Sequence, residues 1–245
     1  MKAYFISDVH LKTLNERNGQ ILLRFLNSLS TEAPSDLFLV GDIFDFWVGD
    51  HDFFYQKFKP IVDQIVSLQK SGTQVHYFEG NHDVHVKKFW ESRFHIPCSV
   101  PEKYFQLGPL LVRVEHGDMI NPHDVKYLKY RDFIRSPYLE KLAHLLPPKA
   151  FSDLGNFASR MSRKRSSQVR SKQEEYLRGL IRAYAQQAFA RKPFDVLITG
   201  HMHILDDWEF AVAGRKVRSI NLGSWFEKPR SLLIDDTGIS WRELN

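Results

Sequence analysis

The sequence predicts an α/β fold in which layered β-sheets are flanked by helices and interrupted by one helical insertion. Short apolar runs that end in polar residues alternate with amphipathic helices in the first third of the chain. The hydrophobic period becomes helical from about 124 to 190, and strand patterns return after it. Alternating strands and helices are typical of sheets whose faces are covered by helices.

The length and composition of the chain limit the classes of protein it can belong to. A single domain over residues 1–245 is expected, with the helical insertion over about 122–192. No apolar run exceeds four residues, which excludes a transmembrane helix and the core of a secretory signal. The one cysteine, Cys98, cannot form an intrachain disulfide, so a structural thiol in a reducing compartment is expected.

The positive charge of the chain is concentrated in one stretch. The formal net charge is +5, from 34 basic and 29 acidic side chains, and outside this stretch the two signs nearly balance. A local basic patch suits a phosphate-bearing partner or an anionic membrane surface, and a solvated helix face is the alternative interpretation. The residues of this basic run are Arg160, Arg163, Lys164, Arg165, Arg170 and Lys172.

Three strands and two helices are predicted in the first third of the chain. The first strand, Ala3–Ser7, precedes a helix with one apolar face. The second and third strands cover Leu37–Val40 and Gln74–Phe78, and a helix over about Phe54–Lys70 lies between them. Gly72 follows this second helix, where a terminating glycine is expected. The apolar face of the first helix consists of Ile21, Leu22, Phe25, Leu26 and Leu29.

The remaining strands lie on either side of the helical stretch. Two of them, Lys103–Leu107 and Leu110–Glu115, precede it. Within it, Leu139, Leu142 and Leu146 form one apolar stripe. The later strands follow one another closely, which indicates a mostly antiparallel end of the chain. They are predicted at Val196–Thr199, Trp208–Val212, Lys216–Leu222, Ser231–Ile234 and after Gly238.

Short polar motifs follow five of the apolar strand candidates. Ligands in open α/β sheets gather at the carboxyl ends of the strands, so these motifs are expected to converge on one pocket. Taken singly, each is weak: an Asp-x-His or a Gly-Asp is more often an ordinary strand end or turn. The motifs are Asp8-x-His10, Gly41-Asp42, Gly80-Asn81-His82-Asp83, His116-Gly117-Asp118 and Gly200-His201-x-His203.

The residue types in these motifs indicate a metal site. Carboxylate, imidazole and amide oxygen are ligands for Mn²⁺, Fe²⁺ or Zn²⁺. The alternating spacing of Asp8-x-His10 and His201-x-His203 is expected to place both members on one face of an extended segment. Glycines beside Asp42, Asn81, Asp118 and His201 are expected to permit sharp turns.

The ordered set of motifs resembles the calcineurin-like metallophosphoesterases over most of the chain apart from the helical stretch. The resemblance implies a layered metallophosphoesterase fold and two divalent cations, with Mn²⁺ expected, that clamp a phosphoryl group and activate a water molecule. Asp83 and Asp118 are expected to orient metal-bound imidazoles. The implied ligands are Asp8, His10, Asp42 and His203 for one cation, and Asp42, Asn81, His116 and His201 for the other.

A narrower resemblance points to the UDP-2,3-diacylglucosamine pyrophosphohydrolases of lipid A biosynthesis. It rests on the stretches Phe5–Leu11 and Gly41–Asp50 and on spacings after His116. It implies attack on phosphorus by metal-activated hydroxide, giving UMP and 2,3-diacylglucosamine 1-phosphate. The helical insertion would form a lid for the acylated sugar. The implied catalytic residues are Asn81 and His82, and the implied substrate contacts are Asn81, His82, Asp124, Tyr127, Arg160, Lys172 and His201.

One departure from this family concerns the leaving group. His82 stands where close members usually have Arg. Either side chain can neutralise a departing phosphate, but His can also protonate a poor alkoxide leaving group, as a general phosphodiesterase requires. The lid leucines beside the basic run suit acyl chains and anionic lipid, although a core-facing stripe explains the leucines equally well.

Three functions are therefore considered. The first is a pyrophosphohydrolase acting on a nucleotide-linked lipid, peripheral on the cytoplasmic face of a bacterial inner membrane. The second keeps the chemistry but acts on a soluble nucleotide or other phosphodiester. Nucleic acid is disfavoured, because the basic run contains no aromatic side chain for base stacking. The third is a non-catalytic scaffold, which the filled ligand positions disfavour. No protein partner is inferred.

Overall fold

Two packed β-sheets with helices on their outer faces form the fold. The computed structural model describes residues 1–145, 150 and 174–245. In the six-stranded first sheet the strand order is β13-β12-β1-β2-β4-β6. Neighbours from β1 to β6 are parallel, and β12 and β13 are antiparallel. Its strands are β1 Lys2–Ile6, β2 Asp36–Val40, β4 Gln74–Phe78, β6 Cys98–Ser99, β12 Arg230–Asp235 and β13 Gly238–Glu243.

The second sheet has five strands in the order β10-β11-β9-β8-β7. Its central pairs, β8 with β9 and β9 with β11, are parallel, and the pairs at both edges are antiparallel. A two-stranded sheet of β3 Trp47–Val48 and β5 Asp83–Val84 joins two of the motif loops. The strands of the second sheet are β7 Lys103–Leu107, β8 Leu110–Val114, β9 Val196–Thr199, β10 Leu205–Val212 and β11 Arg215–Leu222.

Strand alternation builds two cores, one on each face of the first sheet. Phe5, Phe38 and Val40 point toward the second sheet and meet residues such as Val114 and Ile198. The intervening residues of the same strands point to the opposite face, which the helices cover. Full burial of one large apolar side chain contributes about 1.5–3 kcal/mol. These two cores therefore hold the carboxyl ends of β1, β2, β4, β8 and β9 close together.

Three helices cover the outer face of the first sheet. They are α1 Arg17–Glu32, α2 Asp52–Lys70 and α3 Lys87–Phe94. The face predicted for the first helix is buried, as its period requires. In α2, His51 caps the N-terminus, and Pro60 accompanies a non-helical Phe58 at a kink.

The stretch predicted to be helical contains three described helices. These are α4 Val125–Ile134, α5 Pro137–Leu145 and α6 over 174–191. α6 packs on the outer face of the second sheet, where Ala185 and Ala188 meet Leu197 and Val217. This helix thus forms the fourth layer of the fold. The basic run between Arg160 and Lys172, and Leu146, lie outside the described residues.

The predicted fold class is confirmed: layered sheets flanked by helices. The strands at Gln74–Phe78, Lys103–Leu107 and Val196–Thr199 have the predicted bounds, and the ends of most other predicted elements agree or differ by one or two residues. Trp208–Val212 is part of a longer strand that begins at Leu205. Cys98 is buried, in agreement with a structural thiol. No helix in the described part of the chain combines the length and apolarity needed to span a membrane.

Candidate metal centre

The five motif loops meet at one place, as their positions after the parallel strands lead one to expect. Their backbones pair directly: the amide of Asp8 donates to the Gly41 carbonyl at 3.1 Å. Likewise, the amide of Gly200 donates to the His116 carbonyl at 2.9 Å. Two clusters of donor atoms result, with Asp42 in both. The first cluster is Asp8, His10, Asp42 and His203, and the second cluster is Asp42, Asn81, His116 and His201.

The first cluster is held by short contacts between buried atoms. Asp8 Oδ1 lies 3.0 Å from His203 Nε2. His10 Nε2 lies 2.9 Å from His203 Nε2 and 3.8 Å from Asp42 Oδ2. Asp8 is held in turn by the Ser7 hydroxyl, which donates to its Oδ2 at 2.6 Å.

The second cluster uses the same carboxylate oxygen of Asp42. Asp42 Oδ2 lies 3.6 Å from His116 Nε2. Asn81 Oδ1 accepts from His201 Nδ1 at 2.8 Å and lies 3.4 Å from His116 Nε2. Asp42 is therefore placed between the clusters. All seven positions expected to ligate metal are brought together, and their role as ligands remains a prediction.

The backbone at these positions differs from the expected extended segments. Asp8, His10, Asp42, His201 and His203 all have positive φ, between 50° and 66°. Each such residue costs about 1–3 kcal/mol, so the surrounding contacts have to enforce this backbone conformation. Tight left-handed turns, rather than strand alternation, therefore aim these side chains at one point.

Two of the motif glycines are needed for space rather than for turning. Gly80 and Gly200 do not have left-handed backbone, unlike Gly41 and Gly117. A Cβ at Gly80 would lie 2.0 Å from Asp42 Oδ1, and one at Gly200 would lie 2.4 Å from Asp8 Oδ2. These glycines allow the carboxylates to lie against neighbouring backbone.

The donor set fits two divalent cations. Burial lowers the pKa of His10 well below its usual range, and burial with the charge of His116 lowers the pKa of His201 to about 4. Neutral imidazoles keep the lone pairs that metal binding requires. The buried Nδ1 of His10 has no hydrogen-bond partner within the described ranges. Mixed nitrogen and oxygen donors without thiolate suit Mn²⁺, Fe²⁺ or Zn²⁺.

Among the described residues, the hydrogen bonds of the Asp83 carboxylate go to backbone amides and to Tyr77 rather than to the expected imidazole. Its carboxylate accepts from the amides of Asp42, Ile43 and Gly80 at 3.1, 2.8 and 2.7 Å. The Tyr77 hydroxyl also donates to it, at 2.6 Å. Burial and the charge of Asp42 raise the pKa of Asp83 to about 7. Asp83 thus joins the backbones of two motif loops.

The hydrogen bonds of the Asp118 carboxylate go to two arginines, while, against the effect of burial, the charge of His116 helps to lower its pKa. Arg131 Nε donates to its Oδ2 at 2.7 Å, and an Arg135 terminal nitrogen donates to the same atom at 3.3 Å. The ring of His116 is oriented instead by backbone, since its Nδ1 donates to the Val40 carbonyl at 2.9 Å. Every residue has a backbone carbonyl, so the sequence contains no signal that predicts this contact.

His82 lies at the edge of the first cluster. Its Nδ1 donates to the Asp45 carbonyl at 2.8 Å, and its ring meets that of His10 edge-on at 4.7 Å. Burial acts to lower the pKa of His82, but the charge of Asp42 and the bond to Asp45 outweigh it and raise the pKa. Asp45, within the Gly41–Asp50 stretch, was not singled out in the sequence.

Two aromatic side chains flank the clusters. Phe226, which sequence reasoning missed, stacks on His10 with centroids 5.0 Å apart and planes 12° apart. The ring of Tyr127 lies 5.0 Å from that of His201. The Tyr127 hydroxyl is buried and has no hydrogen-bond partner among the residues that the structure describes. Tyr127 is therefore placed at the centre, as expected of a substrate contact.

Of the expected substrate contacts outside the two clusters, Asp124 also lies within the described residues, and its role as a contact stays a prediction. The Asp124 carboxylate caps α4 by accepting from the Tyr127 amide at 3.0 Å. This bond orients the helix that carries Tyr127. Arg160 and Lys172 lie outside the described residues.

Comparison with known proteins agrees with the fold and the donor set. A sequence model of the calcineurin-like phosphoesterase family matches residues 1–205. The chain belongs to this family, whose members are metal-dependent phosphoesterases, and it is therefore a metal-dependent hydrolase.

Among relatives, two UDP-2,3-diacylglucosamine hydrolases match almost end to end. The one from Stenotrophomonas maltophilia is 28% identical, and the match covers 98% of this chain and 97% of the relative. The one from Photorhabdus laumondii is also 28% identical, with 98% and 97% covered. A solved archaeal phosphodiesterase shares the fold, with a TM-score of 0.50, 13% identity and full coverage of both chains.

Proposed function

We propose that this protein hydrolyses the pyrophosphate bond of UDP-2,3-diacylglucosamine, releasing UMP and 2,3-diacylglucosamine 1-phosphate. The convergence of seven donor side chains in two clusters that share Asp42 carries this proposal, since it provides for phosphoryl chemistry. The substrate is taken from the relatives, which match the chain over nearly its whole length and bear this name.

The two clusters are proposed to hold two divalent cations, for which we propose Mn²⁺. When bound, such a pair neutralises phosphoryl charge and lowers the pKa of a water molecule. Asp42 would bridge the two clusters, because its Oδ2 faces His10 on one side and His116 on the other. The buried loops keep the donor atoms in place, so little reorganisation accompanies the reaction.

His82 is proposed to neutralise the departing phosphate. Its Nδ1 is fixed by the Asp45 carbonyl, which sets the direction of the ring beside the first cluster. A leaving phosphate monoester has a second pKa of about 6, so charge neutralisation matters more than proton donation. The ring of Tyr127, beside His201, is proposed to contact the substrate on the other side.

The inserted helices α4 and α5 are proposed to receive the acyl chains. Six of the ten exposed large apolar side chains among the described residues lie on these two helices, with Tyr138 at 83% and Leu145 at 80% exposure. Exposed apolar surface concentrated in one region is typical of a binding site for lipid or protein. We propose peripheral binding at the cytoplasmic face of a bacterial inner membrane, where such a substrate resides. The exposed residues are Val125, Tyr130, Phe133, Tyr138, Leu142 and Leu145.

A second candidate function is hydrolysis of a soluble nucleotide or other phosphodiester. The imidazole of His82 favours it, because this side chain can also donate a proton to an alkoxide leaving group. The same metal chemistry would serve both substrates.

A product assay tests the proposed function. Purified protein with Mn²⁺ and UDP-2,3-diacylglucosamine in detergent micelles is expected to release UMP. Excess EDTA is expected to abolish this release, and Mn²⁺ to restore it, because the site binds its cations reversibly. Bis-p-nitrophenyl phosphate is assayed in parallel. Rapid turnover of that diester with no UMP release from the lipid would support the second candidate and contradict the first.

The variant His82→Arg separates the two tasks of His82. If His82 neutralises charge, the variant is expected to retain UMP release within about 10-fold, whereas His82→Ala loses about 10²-fold or more. Both variants are measured for kcat over a pH series. A loss in His82→Arg as large as in His82→Ala would favour the role of proton donor.

A further inference from the structure

Arg135, in the inserted region, reaches back into the loops of the second cluster. It follows the last residue of α4, and its guanidinium is only 12% exposed. One terminal nitrogen donates to Glu79 Oε2 at 3.2 Å. The other donates to the carbonyls of Glu79 and Gly80 at 3.3 and 3.0 Å and to Asp118 Oδ2 at 3.3 Å.

These acceptors belong to two different motif loops. The carbonyls of Glu79 and Gly80 immediately precede Asn81, and Asp118 is two residues after His116. One planar guanidinium therefore connects the segment that carries the amide donor with the segment that carries the imidazole donor. The planar guanidinium, with several donors in a fixed arrangement, suits this contact with two segments at once.

The first cluster is held by other groups. Asp8 accepts from Ser7, and the Trp225 amide donates to the Asp8 carbonyl at 3.1 Å. The segment of His203 is fixed partly by Asn221, whose amide nitrogen donates to the Gly200 carbonyl at 2.6 Å. None of the bonds described for Arg135 involves these groups.

We propose that Arg135 is a positioning residue that couples the inserted helices to the second cluster and sets its affinity for a divalent cation. Its removal would let the Asn81 and His116 segments separate while the first cluster stays intact. This inference rests on the two-cation site of the proposed function but on no particular substrate.

The test measures Mn²⁺ binding by titration calorimetry in two backgrounds that each isolate one cluster. His203→Ala leaves the second cluster, and His116→Ala leaves the first. Adding Arg135→Gln is expected to weaken Mn²⁺ binding about 10- to 100-fold in the His203→Ala background. In the His116→Ala background the change is expected to stay within about 3-fold, because no bond described for Arg135 reaches a residue of the first cluster.

A matched control excludes a general loss of stability. Arg242 forms a comparable pair with Glu32 at 2.5 Å, between α1 and β13 and away from both clusters. Arg242→Gln is expected to leave Mn²⁺ binding unchanged in both backgrounds. In the otherwise wild-type chain, Arg135→Gln is expected to bind about one Mn²⁺ per protein at moderate Mn²⁺ concentration, where the wild type binds about two. The electron paramagnetic resonance spectrum of the variant should then be that of isolated Mn²⁺ ions.

Three results would overturn the inference. These are equal weakening in both backgrounds, no weakening in either, and two tightly bound Mn²⁺ in the Arg135→Gln chain. Failure of the proposed function would be recognised separately. A wild-type protein that binds two Mn²⁺ but releases no UMP from the lipid contradicts the substrate and leaves the role of Arg135 standing.

Discussion

Asp42→Asn is expected to lower hydrolysis by about 10³-fold or more while leaving the protein folded. The proposed metal pair depends on a charged oxygen that faces both clusters, and Asp42 Oδ2 lies 3.8 Å from His10 Nε2 and 3.6 Å from His116 Nε2. An amide keeps the shape but loses the charge. Loss of several kcal/mol of transition-state stabilisation corresponds to about three decades in rate. The measurement is kcat for UMP release.

When both proteins are free of metal, the same variant is expected to gain stability relative to the wild type as pH rises. The charge of Asp42 is one of the causes that raise the pKa of Asp83 to about 7, after burial. A carboxyl that binds its proton more tightly in the folded state loses stability as pH rises from its unfolded pKa to its folded pKa. The Asn variant removes part of this cost, so its Tm relative to that of the wild type should rise as the pH increases from about 4 to about 7.

A surface variant serves as the control for Asp42→Asn. Asp63 pairs with Lys59 on the exposed side of α2, and Asp63→Asn is expected to leave activity unchanged. Activity of Asp42→Asn within about 10-fold of the wild type would contradict the bridging role, which requires the larger loss given above. A cooperative unfolding transition must accompany any loss, because otherwise misfolding explains it.

Gly80→Ala is expected to reduce hydrolysis by about 10²-fold or more, although it adds one methyl group. That Cβ would lie 2.0 Å from Asp42 Oδ1 and 2.4 Å from the Asp42 amide nitrogen. The carboxylate has to move, and displacement by about 1 Å can cost about 10²-fold in rate. Overpacking also costs about 1–3 kcal/mol of stability. Both kcat and the free energy of unfolding are measured.

Gly179→Ala is the matched control. Gly179 lies in α6, where an added Cβ would meet no side chain or neighbouring segment within 4 Å among the described residues, so alanine there should raise stability by up to about 1 kcal/mol and keep full activity. Wild-type activity in Gly80→Ala would show that the Asp42 carboxylate can lie elsewhere during turnover. That result would show that hydrolysis does not require the close approach of Asp42 to Gly80.

Local patterns were sufficient to predict the strands and the meeting of the motifs. Asp8, Asp42 and His116 each follow a buried strand, and parallel strands end at the same edge. The left-handed backbone at His10 and His203 was not predictable, because only glycine signals positive φ in a sequence. The convergence of these side chains was predicted correctly, but the strand alternation from which it was predicted is not the geometry that these residues adopt.

Contacts between distant segments account for the other differences. Asp83 and Asp118 were expected to contact imidazoles because they adjoin the histidine motifs in sequence. In the fold, Asp83 lies under the backbone of Asp42, 41 residues away, and Asp118 faces Arg131 and Arg135. Phe226 reaches His10 from the far end of the chain. The sequence pattern within one helix or strand does not predict contacts between residues so far apart in the chain. Such contacts are visible only in the folded structure.

The central claim is that seven side chains hold two neighbouring divalent cations, and diffraction at the manganese edge tests it most directly. Crystals of the protein grown with Mn²⁺ should give two anomalous peaks about 3.5–4 Å apart, with Asp42 between them. The donors around the peaks should be those of the two clusters defined above. A single peak, or peaks bound elsewhere while Asp42 contacts neither, would contradict the account.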